Sequence, residues 1–255
     1  MSKPNQSRRR KATRLPGNWA KTAQRPEPYN PLDLANLGRS VELKLLASDP
    51  VRLADIPIFV GAGVYAIYYS GDHELYEPIS SGSYEIPIYV GKAIPAGGRK
   101  GLVDETKETA PLWKRLQEHK ESLKPVHDLD ERDFAVRYLV TIDVFIPLAE
   151  RVMIRQLKPV WNVVVDGFGN HDPGANRRKD GQRPPWDELH PGRWWSTPEE
   201  MPTPSKVTEH ELRERVRSHL ARGVKVTPET AMQLESDDLA KLIPEWDDDD
   251  PEEWR

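Results

Sequence analysis

GVYAIYYSGDHELYEPISSGSYEIPIYVG, residues 63–91, is the stretch from which the fold is read. Its two ends, GVYAIYY (63–69) and IPIYVG (86–91), are rich in β-branched and aromatic residues, which favour the pleated, half-buried surface of a strand. The SGDHELYEPISSGS between them has the Gly, Ser, Asp and Pro of a long turn or hairpin region. Two short strands follow from that composition, with the core beginning near Gly61. AIPAGGRKGLVDET is then a Gly-rich loop, and Thr109-Ala110-Pro111 opens a helix, PLWKRLQEHKESL, buried along Leu112, Leu116 and Leu123. FAVRYLVTID (134–143) reads as a third strand, and VWNVVVD (160–166) has the composition of a fourth.

Between those two strands lies LAERVMIRQLKPVWN (148–162), a helix of about three turns with Pro147 in its first turn and Pro159 just past its end. Glu150, Ile154 and Leu157 share one stripe of it, and Leu148, Val152 and Met153 spread over the adjoining arc. Glu150 is therefore a carboxylate at the edge of an apolar face. There it must meet a cation or hydrogen-bond donors, or take up a proton.

The 255 residues suffice for one large domain, or a medium domain with a small module. With no cysteine, a disulfide scaffold, a thiolate metal site and a thiol nucleophile are all excluded. His, carboxylates, Tyr and Lys are left to carry chemistry. No apolar run approaches the roughly 18 residues of a membrane span, and MSKPNQSRRRKATR contains no apolar segment, so a cytoplasmic protein without a membrane partner is expected.

The formal net charge of −4 is unevenly spread: residues 196–255 hold 16 acidic and 8 basic side chains, whereas the first 25 residues hold eight Lys/Arg and no acid. A basic arm ahead of a mildly basic body fits a polyanion partner or a solubilising tail. Three regions are expected: an arm over 1–45 with at most a short helix at its end, a domain over 46–195, and a helical extension with an acidic tail over 196–255. In the extension, TEHELRERVRSHLARG carries Leu212, Val216 and Leu220 on one face with Gly223 as its stop, and Thr227-Pro228 opens a second helix. No internal repeat is present.

Gly63-Val64-Tyr65 and Tyr89-Val90-Gly91 resemble the two halves of the GIY-YIG nuclease superfamily, with valine for isoleucine in both. The family's arginine matches Arg115, and the histidine that its restriction-enzyme branch adds one turn on matches His119. Glu150 matches its acidic helix, and Asn162 the asparagine beyond Pro159. NHDPGANRRKDGQRPPWDELHPGRWW resembles the type II restriction endonucleases of the superfamily, and the likeness covers about residues 55–195. It implies an α/β (α+β) fold, a small sheet flanked by helices.

The resemblance also implies roles. Glu150 would ligate one Mg²⁺, a hard ion that prefers oxygen and keeps most of its waters. Tyr65 would act as general base and Tyr89 would position water or phosphate, with His119, Lys92 and the metal as the groups that assist or take the proton onward. Arg115 would clamp a phosphate oxygen, against the alternative of a surface ion pair with Glu118 or Glu121. Asn162 would hold the geometry or cap a turn. Tyr68, Tyr69 and Tyr84 are read as core residues. At 100° per residue, Arg115 and His119 lie about 60° and 20° from Leu112 and so flank the buried stripe.

The partner implied is double-stranded DNA with a short, GC-rich palindrome, cut by a homodimer and guarded by a cognate DNA methyltransferase. Arg177, Arg178, Lys179, Arg183 and Arg193, in a recognition loop over about 167–195, are the candidates to touch bases or phosphates. A repair or mobile-element nuclease, and a DNA-binding module with a dead site, are the competing readings.

Overall fold

The computed structural model describes residues 34–95 and 109–222. Residues 1–33 of the basic arm, the body of the Gly-rich loop, Gly223, the helix opened by Thr227-Pro228 and the acidic tail lie outside the described residues.

Four strands, β1 (Val51–Arg52), β2 (Gly63–Tyr69), β3 (Tyr89–Ala93) and β4 (Phe134–Val140), form one antiparallel sheet in the order β1-β4-β2-β3. The central strand β2 is buried at all seven positions. Its alternation separates two cores, because successive side chains point to opposite faces. Tyr65, Ile67 and Tyr69 pack with α2 (Pro111–Leu123), the segment around Trp161, Phe168 and Trp186, and α7 (Glu209–Ala221). Val64, Ala66 and Tyr68 face the other way, onto α1 (Leu34–Leu46) and α3 (Ile146–Leu157). A sheet between two helical layers results, as the α+β expectation required.

Leu112, Leu116 and Leu123 are fully buried on α2, as their spacing predicts. On α3 the buried side chains are Ile146, Ala149, Val152, Met153 and Leu157, which leaves Glu150 at the margin. The expected boundaries at 45/46 and 195/196 do not coincide with breaks in packing. Leu45 of α1 is buried in the α3 core, and Leu212, Val216 and Leu220 of α7 are buried in the other. The capping box of Thr208 and Glu211 starts α7 by satisfying backbone donors at its first turn.

Two expected strands differ. The second runs Tyr89–Ala93 rather than 86–91, since Pro87 has no amide to donate and the pairing extends to Lys92 and Ala93 opposite Val64 and Gly63. VWNVVVD is not a fourth strand: Val160–Val163 make one helical turn, α4. Its valines are β-branched, but the edge of the sheet is closed there by a side chain, as described below. The 70–83 turn contains a 3-10 helix, Glu74–Ile79, which buries Tyr76. Farther on, the recognition segment holds two short helices, α5 (Ala175–Asp180) and α6 (Pro185–Leu189).

One carboxylate is buried between α1 and α3. Glu42 is 3% exposed; burial pushes it from the ordinary 4.5 up to about 7, partly offset by Arg39. The Gln156 amide nitrogen, turned toward it, donates to its carboxylate. Because the folded state then holds a proton that the unfolded chain releases, stability is greatest below the unfolded value and falls as pH climbs toward 7. Glu42→Gln should therefore raise the melting temperature above about pH 7 and leave it nearly unchanged near pH 4.5, read by thermal unfolding at both. An equal effect at both would show that Glu42 is not the group titrating.

Candidate active site

Tyr65, in the middle of β2, stands opposite Gly91 of β3. A Cβ at Gly91 would collide with the Tyr65 ring and hydroxyl, so the phenol occupies space that only glycine leaves free. Tyr65 is fully buried, and its Oη lies 2.5 Å from His119 Nε2 on α2. Burial raises the Tyr65 pKa well above its usual value, with Tyr89 adding to the rise and Arg115 opposing it. His119 is pushed the other way, well below its usual range, by burial and then by the charges of Arg115 and Arg193. Both groups are thus held neutral at physiological pH.

Arg115 sits one turn before His119, so the helical repeat delivers both to one wall. Its Nη1 donates to Glu118 at 3.0 Å and contacts His171, while Nη2 donates to the Gly169 carbonyl at 2.7 Å. The surface pair with Glu118 therefore exists, but the same guanidinium also lines the cleft. Lys92 Nζ meets Glu150 Oε2 at 2.5 Å, which answers what partners the carboxylate at the edge of α3. Tyr65, Tyr89, Lys92, Arg115 and Glu150 line one cleft of about 650 Å³ along the β3 edge, with His119 behind Tyr65.

Asn162 lies outside that cleft. Its Oδ1 accepts from the Val90 amide at 2.8 Å and its Nδ2 donates to the Val90 carbonyl at 2.9 Å. One side-chain amide takes the place of a neighbouring strand at an edge that would otherwise present unpaired backbone. The Trp161 amide adds a bond to the Ile88 carbonyl at 3.0 Å.

Gly169 and His171 also line the cleft and were not singled out from sequence. They belong to the stretch read wholly as a DNA loop, and GFGNH offered no spacing that would tie them to Arg115. Of the five basic DNA candidates, Arg177 and Lys179 are exposed. Arg178 is paired with Asp172 at 2.7 Å and Glu200 at 3.1 Å and lies over the Trp194 ring, and Arg183 is paired with Glu188 at 3.2 Å. Arg193 needs correction as a DNA contact: it is 2% exposed, with its guanidinium over Trp186 and bonded to backbone carbonyls.

A second group of ligand-type side chains, His73, Asp128 and His190, converges away from the cleft. His190 Nδ1 meets Asp128 at 2.9 Å and its Nε2 meets Tyr76 Oη at 2.5 Å, which also accepts from the Trp161 indole at 2.8 Å. His73 Nδ1 accepts from the Leu75 amide, which puts its proton on Nε2, 3.4 Å from Asp128. Burial opposes charge on Asp128, yet the hydrogen bonds from His190 and His73 prevail and hold it below the usual carboxylate range. Both imidazoles engage the same Asp128 oxygen, Oδ2, and leave Oδ1 buried without a partner among the described residues; two imidazoles do not suit a hard, oxygen-seeking ion.

A family model described as the Eco29kI GIY-YIG domain matches residues 57–220, well over half of the chain. No curated protein matches the chain significantly.

Replacing Asn162 tests the edge closure. Asn162→Ala leaves the Val90 amide and carbonyl unpaired and should cost about 1–3 kcal/mol in urea unfolding. An unchanged midpoint would mean that water satisfies Val90 equally well.

Proposed function

From the premise that the chain belongs to the Eco29kI family of GIY-YIG restriction endonucleases, we propose that it hydrolyses double-stranded DNA at a short, GC-rich palindrome. In this reading it acts as a homodimer with one Mg²⁺ per site. The observation that carries the proposal is the convergence of Tyr65, Tyr89, Lys92, Arg115 and Glu150 on one cleft, backed by the Tyr65–His119 pair.

The chemistry starts from neutral groups. A free phenolate at Tyr65 is disfavoured by its burial, so Tyr65 acts by exchange. As the water oxygen attacks phosphorus, the water proton passes to Tyr65 Oη while the phenol's own proton passes to His119 Nε2. The P–O bond opposite the attacking oxygen breaks, and the leaving oxygen departs with its electron pair. His119 is uncharged and so offers a lone pair, but burial and then the Arg115 charge weaken it as a base, so it holds the proton only in passage. Arg115 meets the charge that builds on the nonbridging oxygens, where a fixed cation acts most strongly. Tyr89, whose ring neighbours those of Tyr65 and His119, positions water or phosphate.

Glu150 fits the divalent ion that such nucleases generally use. It is an oxygen donor, 18% exposed on the cleft wall, and Lys92 engages one of its oxygens. Mg²⁺ is commonly held by one or two carboxylates and its own waters. When bound, the ion polarises the scissile phosphate and stabilises the departing oxygen. Lys92 in turn limits repulsion between Glu150 and the DNA backbone.

Arg177 and Lys179 are the exposed candidates for DNA contact, and Arg178 and Arg183 would first have to exchange a carboxylate for phosphate or base. A palindrome calls for an isologous two-fold dimer, each subunit cutting one strand. A cognate DNA methyltransferase is the genetic partner that protects the host's own sites, and the cytoplasm is where both would act.

The test is incubation of the protein with unmethylated plasmid and Mg²⁺, followed by sequencing of the product ends. Discrete fragments sharing one palindromic end are expected, with Glu150→Ala and Tyr65→Phe each slowing cleavage by about 100-fold or more. Random nicking that Glu150→Ala abolishes would indicate a repair or mobile-element nuclease. No cleavage under any divalent metal would leave a DNA-binding module.

A further inference from the structure

Gly167-Phe168-Gly169 touches three groups of the active site at once. The Phe168 ring stacks on His119 with centroids 4.6 Å apart and planes 12° from parallel, and meets Tyr89 edge-on at 5.0 Å. The Gly169 carbonyl accepts from Arg115 Nη2 at 2.7 Å. At Gly169 a Cβ would lie 2.8 Å from Tyr89 Oη and 3.0 Å from Arg115 Nη2, so absence of a side chain there lets both groups close on the backbone.

The other side of the same tripeptide is fixed by Arg193. Its Nη1 donates to the Gly167 carbonyl at 3.2 Å and its Nη2 to the Phe168 carbonyl at 2.7 Å. The guanidinium is buried, 4.1 Å over the Trp186 ring, with the Asp187 carboxylate 3.6 Å away. Trp186 itself is tied back, its amide donating to the Asp166 carbonyl at 2.9 Å. A planar fork reaching two successive carbonyls fixes their orientation in a way that a single ammonium cannot. Burying this cation costs free energy unless it is fully engaged, so its place beneath a cleft wall calls for a reason.

We infer that residues 167–169 form a strap that sets His119 and Arg115 for cleavage, and that Gly169 and Arg193 are positioning residues for that reaction. The inference rests on the nuclease reading. Arg193 makes no contact with DNA in this role; it acts through the strap. The segment that carries Arg177 and Lys179 leaves from the strap at Gly169 and returns to it at Arg193.

The full-length protein, Gly169→Ala and Arg193→Lys are compared on the DNA identified by the plasmid experiment. Cleavage is measured at saturating enzyme in a single turnover, and affinity is measured separately with Ca²⁺ in place of Mg²⁺. Both variants should bind as the parent does but cut about 10- to 100-fold more slowly, as displaced catalytic groups do. Gly169→Ala should melt at the parent's temperature, since Gly169 is partly exposed and its φ is not positive. The His119 imidazole resonances, which feel the Phe168 ring current, should move in Arg193→Lys. Parent-like cleavage rates in both variants, or a loss confined to affinity, would overturn the strap. If the parent cuts no DNA, the nuclease reading falls by itself, and unmoved His119 resonances in Arg193→Lys would then dispose of the strap as well.

Discussion

The hydrogen bond between Tyr65 and His119 ties the centre of the sheet to α2, and much of the molecule is arranged to permit it. Gly91 leaves the space for the phenol. Asn162 holds β3, and so Gly91, against the edge of the sheet. Phe168 covers the imidazole and keeps water from it. Each of these devices comes from a different part of the chain. Their common effect is a phenol on the cleft wall and an imidazole behind it, both neutral and 2.5 Å apart.

Two kinds of polar group result, and they are divided by burial. The Tyr65–His119 pair is buried, with only the phenol reaching the cleft wall, which suits transfer of a proton without creation of a stable charge. The Lys92–Glu150 pair is partly exposed, which suits exchange of a partner for an ion or a phosphate. Charges elsewhere follow the same division. Arg193 and Asp187 are buried together, and Asp187 is pushed up to about 7 by that burial despite the arginine. His73, Asp128 and His190 meet at one Asp128 oxygen in a group of their own. By contrast, Arg177 and Lys179 stand in solvent on α5.

Among the elements, those with strong local signals were legible. Strand Gly63–Tyr69 and helix Pro111–Leu123 have the limits their residues suggest, because seven consecutive buried residues and a leucine stripe leave little choice of conformation. The arginine and histidine of α2 are brought to one wall by the helical repeat alone. VWNVVVD misled because strand propensity measures fit to a sheet, and the position at that edge was taken by an amide side chain instead. Arg193 misled because a sequence gives no burial: an arginine among tryptophans reads equally as a DNA contact or as a cation stacked inside a core.

The sequence by itself determined the strands near 63–69 and 134–143, the helices Pro111–Leu123 and Ile146–Leu157, the family likeness, and the residue types able to carry hydrolytic chemistry. Local periodicity and composition suffice for these, since each depends on neighbours a few positions apart. Tertiary structure decided which carboxylate meets Lys92, that Gly169 and His171 wall the cleft, and that Arg193 faces inward. Those outcomes depend on contacts between residues 25 to 58 positions apart, as in Arg193 to Phe168 or Lys92 to Glu150. Which distant groups share a low-dielectric pocket is fixed by packing, and packing also sets the protonation state of each.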